Sequence, residues 1–200
     1  MVNIQSEKIV FATGGYGGKE IKDLKSYWLP IKTFIGVTKP IGNELQSVLK
    51  KPLGFSDNRR AGNYYRVLPG NRLSWGRGIS AVGKFTYSNL KRAISKEINY
   101  FFPELRNVEI DYVWSGNMAY ASHYMPYVGS TKIGNEEKKV FTLMGFGGHG
   151  MNTAPGSAMV LADFILGKNN KYEVFNRFRR KWNGGLIGPY IAEMLSLIHI

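Results

Sequence analysis

Residues 140–163, VFTLMGFGGHGMNTAPGSAMVLAD, decide more about the fold of this chain than any other stretch. An apolar, β-prone run enters a loop with glycines at 145, 147, 148 and 150, and an apolar helix is predicted over 158–166. Thr153 is the predicted N-cap, and Pro155 falls near the first turn, where its missing N–H costs nothing. A strand, a glycine loop and a helix start together direct backbone N–H groups at a polar or anionic ligand. We therefore predict a ligand cradle at this loop.

The glycine spacing by itself does not identify the ligand. Gly145, Gly147 and Gly150 fit G-x-G-x-x-G, but the dinucleotide fingerprint also needs a second strand ending in an acidic residue about 20 residues later. The predicted helix is followed instead by GKNN at 167–170, and Asp163 lies within the helix. The loop is therefore not predicted to open a Rossmann unit, and a glycine-rich turn without a ligand remains an alternative.

A second glycine cluster lies near the N-terminus. Residues 8–12 predict a short buried strand, and TGGYGG at 13–18 interrupts it at once. Ligands of open α/β sheets lie beyond the carboxyl ends of the strands, so two such ends suggest one shared cleft. A tight turn without a ligand would have the same sequence pattern.

The middle of the chain predicts an antiparallel sheet with a helix on one face. Short β-prone runs occur at 31–37, 63–68, 72–75, 79–82 and 108–114. LPGNR at 68–72 is a strong turn signal and predicts a hairpin. The helix is predicted from apolar residues at three- to four-residue spacing, with Ser88 or Asn89 as its cap and an end before Pro103; these residues are Leu90, Ile94, Ile98 and Phe101.

Several motifs occur in the order expected of one known family. They are IVFATGGYGG at 9–18, YWLPI at 27–31, TFIGVT at 33–38, RLSWG at 72–76, WSGNM at 114–118, HYMPYVG at 123–129 and GFGGHGMNTAP at 145–155. On these motifs the chain resembles the D-amino-acid-oxidase-like group of FAD-dependent amine oxidoreductases, and within it the gamma-glutamylputrescine oxidoreductase branch. The resemblance extends over residues 5–194.

The resemblance implies a mixed α/β fold, in which an antiparallel-sheet substrate domain is inserted into the C-terminal part of a Rossmann-like, FAD-binding domain. It assigns residues 1–30 and 113–194 to the FAD-binding domain and 31–112 to the substrate domain. The opening βαβ unit of the family does not occur before Ile9, so we expect the C-terminal half of a longer enzyme, inactive alone. Residues 195–200 resemble a translated sequencing adapter and are expected to be a non-native tail.

FAD is the cofactor that the resemblance implies, and both glycine loops are expected to contact it. The candidate residues are Ala12, Thr13, Gly14, Gly15, Gly145, Gly147, Gly148, His149, Gly150, Met151 and Asn152. The implied reaction oxidises a C–N bond of an aliphatic amine or amino-acid derivative, similar to gamma-glutamylputrescine, to an imine; dioxygen is expected to be reduced to hydrogen peroxide. Backbone N–H groups at 148–152 would stabilise negative charge that develops on the flavin.

Catalytic candidates are few, because no acid–base pair stands out. His149 would act through its side chain or only through its backbone N–H. Four aromatic residues could line a pocket for an aliphatic amine or belong to an aromatic core, namely Tyr64, Tyr65, Trp75 and Trp114. Of these, Tyr65 and Trp75 are the catalytic candidates. His123 is expected to orient the strand after it. The histidines lack metal-ligand spacing, so no metal site is predicted.

Composition excludes several classes of protein. A hydrophobic content of 44% with 14% aromatic residues excludes a disordered chain, and no apolar run is long enough to span a membrane. The absence of cysteine excludes disulfides and fits a cytoplasmic protein. The net charge of +13 would suit nucleic-acid binding, but the basic residues are dispersed and form no recognised motif. A solvated basic face is therefore favoured.

Two other functional classes stay open. A binding module that has lost catalysis would keep the same fold and the same glycine loops, and a flavin spectrum would separate it from an enzyme. A nicotinamide-dependent dehydrogenase would need a complete Rossmann unit outside these residues. Nucleic-acid binding is the weaker interpretation.

Overall fold

The computed structural model describes residues 3–17, 24, 26–59, 62–83, 85–105, 107–133, 136–178 and 181–198. In chain order its helices and strands are β1 (Ile9–Phe11), β2 (Trp28–Thr38), α1 (Glu44–Val48), β3 (Gly54–Ser56), β4 (Tyr64–Leu68), β5 (Arg72–Ser80), α2 (Tyr87–Phe101), β6 (Ile110–Ala121), β7 (Tyr127–Ile133), β8 (Glu136–Met144), α3 (Gly150–Ile165) and α4 (Gly188–Ile198). This content confirms the mixed α/β class. Gly18 and the tail residues 199–200 lie outside the described residues.

The chain divides into two compact units, each made of two stretches. The first unit comprises Met1–Ile31 and Asn117–Pro189, and the second comprises Lys32–Gly116 and Tyr190–Ile200. Residues 190–194 thus group with the second unit, whereas the motifs assigned them to the FAD-binding domain. The division into functional domains stays a prediction.

A three-stranded sheet in the order β1-β8-β7 forms the first unit. Strand β1 pairs with β8 in parallel, from Ile9 opposite Val140 to Phe11 opposite Thr142, and β7 pairs with β8 antiparallel. Helix α3 packs on this sheet, since Leu161 lies in one apolar cluster with Val128 and Phe141. Strand β1 was predicted to be buried, and this was wrong. Ile9 and Val10 are about half exposed, because β1 pairs only with β8 within the described sheet.

The second unit contains a five-stranded sheet in the order β3-β4-β5-β2-β6. The pairs β3/β4, β4/β5 and β2/β5 are antiparallel. Helix α2 covers one face, and its residues Leu90, Ile94 and Ile98 are buried in one cluster with sheet residues that include Phe34 and Trp75. The predicted sheet with a helix on one face is therefore confirmed.

The local details of the second unit differ from prediction in two places. The cap of α2 is Thr86, not Ser88 or Asn89, because Thr86 has extended backbone and its hydroxyl accepts the N–H of Asn89 at 3.3 Å. The hairpin between β4 and β5 is confirmed. The predicted runs 72–75 and 79–82 belong largely to one strand, β5, which continues through Gly76 and Gly78 to Ser80 because it pairs on both sides, with β4 and with β2.

Helix α3 begins earlier than the sequence predicted. Its first residue is Gly150 and its N-cap position is His149, so Pro155 lies inside the helix. The Thr153 hydroxyl donates to the His149 carbonyl at 2.6 Å instead of accepting a first-turn N–H, and the Thr153 N–H bonds to the same carbonyl. Thr153 is therefore a residue of the second turn, and its prediction as N-cap was wrong. Within the described ranges, no helix combines the length and apolarity needed to cross a membrane.

Candidate functional site

Parallel pairing of β1 and β8 brings the two glycine clusters to one edge of the first unit's sheet. Both strands run in the same direction, so the segment after Phe11 and the segment after Met144 leave the sheet at the same end. The side chains confirm this closeness, because the Thr13 hydroxyl lies 3.7 Å from the Met144 sulfur. The carboxyl ends of adjacent parallel strands are where open α/β sheets bind ligands. The two loops therefore form one candidate site.

The first loop is held against the end of β6. It forms a short 3-10 turn over Gly14–Tyr16. The Tyr16 hydroxyl oxygen accepts the N–H of Asn117 at 3.0 Å. A Cβ added to Gly15 would lie 2.7 Å from the backbone carbonyl carbon of Asn117, which is closer than real Cβ atoms approach. Glycine at position 15 is thus required by the approach of the protein's own backbone.

The second loop has left-handed backbone at three of its residues. Gly145, Gly147 and Gly148 have φ angles of 82°, 53° and 86°. Side chains with a Cβ are strained in this region, so the loop conformation depends on glycine. Gly150 differs, because its φ is not positive and an added Cβ would have only an ordinary contact of 3.6 Å, to Phe146. The fold itself therefore does not require glycine at position 150.

Two backbone N–H groups of the loop already have acceptors inside the protein. The N–H of Gly147 donates to the Ala119 carbonyl at 2.9 Å, and the N–H of His149 donates to the Phe146 carbonyl at 2.9 Å. Because the His149 N–H already has an acceptor, the structure favours a role for its side chain, and the choice between side chain and backbone stays a prediction. The first-turn N–H groups of Gly150, Met151 and Asn152 lie where an α-helix supplies no standard acceptor four residues back.

The residues around these donors are open to a ligand. Gly148, His149, Met151 and Asn152 are all exposed, with Met151 at 95%. No acidic side chain lies in the first turn of α3, so nothing there opposes an anionic or electron-rich group. The exposed His149 imidazole is the side chain with acid–base chemistry in this loop.

Three site residues were missed at the sequence level, namely Asn117, Met118 and Tyr120. They lie at the end of β6 and contact both loops. WSGNM at 114–118 was quoted as a family motif, but nothing in its local pattern indicated that it packs on the glycines. Such contacts join segments far apart in the chain, and local periodicity carries no signal for them.

The aromatic candidates separate into two groups. Trp75 is fully buried, stacks on Tyr65 with ring centroids 4.6 Å apart, and donates its indole N–H to Glu97 at 3.1 Å. Burial is the first cause that raises the pKa of the Tyr65 phenol, and the charge of Asp57 is the second. These positions favour the core interpretation for Trp75 and Tyr65 over a pocket.

Tyr64 and Trp114 are about half exposed, so neither is a core residue. The Tyr64 ring lies over Gly76, and its hydroxyl is 3.3 Å from that of Thr33. His123 orients the turn after it, because its Nδ1 accepts the N–H of Met125 at 3.1 Å. Among the described residues, no group of three or more His, Asp or Glu side chains is arranged to hold a metal ion.

Comparison with known proteins supports the same family as the motifs. The family model described as FAD dependent oxidoreductase matches residues 2–164. Gamma-glutamylputrescine oxidoreductase of Escherichia coli K12 is 24% identical over 174 residues, which are 86% of this chain and 39% of that protein. Probable oxidoreductase OrdL of Haemophilus influenzae is 27% identical over 148 residues, which are 74% of this chain and 32% of that protein.

Solved structures share the fold at lower identity. Glycine oxidase from Geobacillus kaustophilus has a TM-score of 0.66 at 19% identity, covering 88% of this chain and 45% of that one. L-proline dehydrogenase from P. horikoshii has a TM-score of 0.64 at 21% identity, covering 87% of this chain and 48% of that one. The chain thus spans less than half the length of each of these relatives. Because the family model matches most of its residues, the chain belongs to the family of FAD-dependent oxidoreductases.

Proposed function

We propose that the two glycine loops hold the flavin of FAD. The assigned residues are Ala12, Thr13, Gly14, Gly15, Gly145, Gly147, Gly148, His149, Gly150, Met151 and Asn152. The observation that carries this assignment is the parallel register of β1 and β8, which brings both loops to one edge of the sheet. The backbone groups of the loops fit a flavin. The pyrimidine ring of a flavin has carbonyl oxygens and N–H groups, which neutral backbone groups can bind.

The fit also rests on the space around the loop. Gly150 has ordinary room for a Cβ in the protein alone, yet glycine occupies it directly beside the exposed first-turn donors. A ligand that approaches the backbone closely would require glycine at position 150, which the fold by itself does not require. The N–H groups of Gly150, Met151 and Asn152 would face the flavin and stabilise negative charge that develops there.

The proposed reaction is oxidation of a C–N bond in an aliphatic amine or amino-acid derivative. The chemistry that FAD would supply when bound is acceptance of a hydride from the carbon next to a neutral amine, which would leave a protonated imine. Dioxygen is the proposed final acceptor of the two electrons and would take them up with two protons as hydrogen peroxide. This chain's share is to position the cofactor and supply hydrogen-bond donors, since the described residues of the two loops contain no acid–base pair. A substrate similar to gamma-glutamylputrescine is supported by the E. coli relative of that name. The net charge of +13 would attract a substrate carboxylate.

A matched pair of substitutions in α3 tests the assignment in the whole protein. Gly150→Val places a side chain beside the first-turn donors, whereas Gly156→Val places one at an exposed position with nothing within 4 Å. We expect Gly150→Val to weaken FAD binding by about 100-fold or more, because the fold accommodates the new Cβ but the ligand does not. Gly156→Val should change binding by less than about twofold.

Fluorescence titration of the FAD-free protein gives the dissociation constants, and circular dichroism confirms that both variants fold. Equal FAD affinity in the two variants would remove the case for this loop as the flavin site.

A panel of amines, amino acids and hydroxy acids, mixed anaerobically with the loaded protein, tests the substrate class. Bleaching of the flavin band by a hydroxy acid and by no amine would assign another reaction. A protein that binds FAD and is bleached by none of them would be the inactive binding module.

A further inference from the structure

The end of β6 packs directly on the second glycine loop. The Tyr120 ring lies 3.3 Å from the position that a Cβ on Gly147 would occupy. Beside it, the Gly147 N–H donates to the Ala119 carbonyl at 2.9 Å, and Tyr120 forms an isolated antiparallel bridge with Phe146. The strand and the loop are therefore joined by main chain and side chain at the same point.

Met118 extends this contact to the next residue of the loop. Its sulfur lies 3.0 Å from the position of a Cβ on Gly148, and the Tyr120 hydroxyl lies 3.3 Å from the same position. Gly148 is itself exposed on its other side. The left-handed turn at Gly148 thus has protein against one side and open space on the side proposed for the flavin.

Asn117 makes the corresponding contact with the first loop. Its backbone approaches Gly15 within the distance that excludes a Cβ, and its N–H donates to the Tyr16 hydroxyl. Residues 117–120 therefore contact both loops, although more than 120 residues separate the two loops in the sequence. Those two loops are otherwise linked through the β1/β8 pairing and the contact of Thr13 with Met144.

We propose that residues 117–120 are positioning residues, a brace that fixes the spacing and direction of both loops before the cofactor binds. This inference rests on the proposed function, because it takes these loops as the flavin site. Met118 and Tyr120 set the left-handed turn at Gly147 and Gly148, which determines where helix α3 begins and where its donors point. Preorganised donors bind a ligand more tightly because less conformational freedom is lost on binding.

The first test uses the FAD-free protein and so does not depend on the flavin assignment. In Tyr120→Leu the ring that packs on Gly147 is lost, and the Gly147 N–H should exchange with deuterium about tenfold faster or more. Tyr120→Phe keeps the ring and should restore exchange to within about twofold of wild type. Tyr112→Leu, an exposed tyrosine of the same strand, is the control. Unchanged exchange in Tyr120→Leu would overturn the brace.

The second test is a double-substitution cycle on FAD affinity. Gly148→Ala should weaken FAD binding, partly through its φ and partly through the clash with the Met118 sulfur. In a Met118→Ala background the tight contact with the sulfur is absent and only the 3.3 Å contact with the Tyr120 hydroxyl remains, so the loss should be at least about threefold smaller. In a Met159→Ala background it should be unchanged, because Met159 is exposed on α3.

The cycle leaves Tyr120 unsubstituted, so it can be measured even where Tyr120→Leu fails to fold. Recovery of less than about threefold in the Met118→Ala background would overturn the proposal. The two proposals fail in different ways. If exchange at Gly147 is slow and depends on Tyr120, but Gly150→Val and Gly156→Val bind FAD equally well, the brace stands and the flavin site is wrong. If Gly150→Val loses FAD binding, but substitutions at Tyr120 and Met118 have no effect, the flavin site stands and the brace is wrong.

Discussion

The apolar core of the second unit and the glycine loops of the first are built on opposite principles. The core around Trp75 is fully buried and dense with aromatic rings, and its polar atoms find partners inside the protein, such as Glu97. The second loop is exposed at Gly148, His149, Met151 and Asn152, holds left-handed backbone and ends in the first turn of α3, whose N–H groups have no standard helical acceptor. Packing inside the protein accounts for the burial of Trp75 and for its stacking on Tyr65. It also accounts for glycine at positions 15 and 147, but not at position 150, where we propose that a ligand approaches the backbone.

The largest expected effect on folding lies at Trp75. Trp75→Ala removes a fully buried side chain and leaves a cavity beside Tyr65, so we expect the free energy of unfolding to fall by about 3–5 kcal/mol. Trp114→Ala removes a half-exposed side chain and should cost about 1 kcal/mol or less. Urea denaturation followed by circular dichroism measures both. Similar losses in the two variants would erase the contrast between core and surface in this unit.

In the glycine loops, by contrast with the core, we expect the large effect to be on FAD binding. Gly147→Val places a β-branched residue at a φ of 53° and pushes its Cβ against Tyr120. We expect FAD affinity to fall by about 100-fold or more, equivalent to about 2.7 kcal/mol, because the loop cannot keep its conformation. Lys171→Ala, at an exposed position distant in sequence from the loop, is the control. Normal flavin content in Gly147→Val would contradict the cradle.

A smaller effect is expected at Glu97, which satisfies the polar atoms at the edge of the core. One oxygen of its carboxylate accepts both the Trp75 indole N–H and the Arg77 Nε–H, at 3.1 and 2.9 Å. Glu97→Ala leaves the buried indole donor without an acceptor and should cost about 2 kcal/mol of unfolding free energy. Glu97→Gln keeps an acceptor oxygen and should cost about 1 kcal/mol. An equal cost for both variants would show that the charge, not the acceptor, is what matters.

The smallest expected effect is a pH dependence at Asp57. Hydrogen bonds from the Arg59 side chain lower the pKa of the Asp57 carboxyl, against the opposing effect of burial, and backbone N–H groups of Asn63 and Arg59 add to the lowering. A lowered pKa in the folded state stabilises the protein above the unfolded pKa, and this stability is lost as pH falls through the folded value.

Asp57→Asn should therefore destabilise the protein by about 1 kcal/mol or less at neutral pH, and the difference from wild type should shrink below about pH 4. Thermal unfolding at a series of pH values measures it. Glu109→Gln, which removes an exposed pair with Lys39, should move the profile less. A constant difference between Asp57→Asn and wild type at every pH would show that the carboxyl does not titrate as its contacts require.

The sequence by itself determined the features that depend on neighbours along the chain. Leu90, Ile94 and Ile98 fall on one helical face, LPGNR forms the hairpin turn, and the ordered motifs identify the family, confirmed by the match over residues 2–164. Helix ends were less well predicted. Thr86 and His149 took the cap positions expected of other residues, because backbone conformation and competing hydrogen bonds decide them.

Only the tertiary structure decided what depends on segments far apart in the chain. The pairing of Ile9 with Val140 brings two separate glycine clusters to one edge of the sheet, and residues 117–120 contact both loops. Trp75 belongs to the core because α2 covers that face of the sheet, a fact that its own sequence neighbours do not contain. The physical reason is the same in each case. Hydrophobic periodicity and turn chemistry act over a few residues, whereas strand pairing and side-chain packing join residues that only the folded chain brings together.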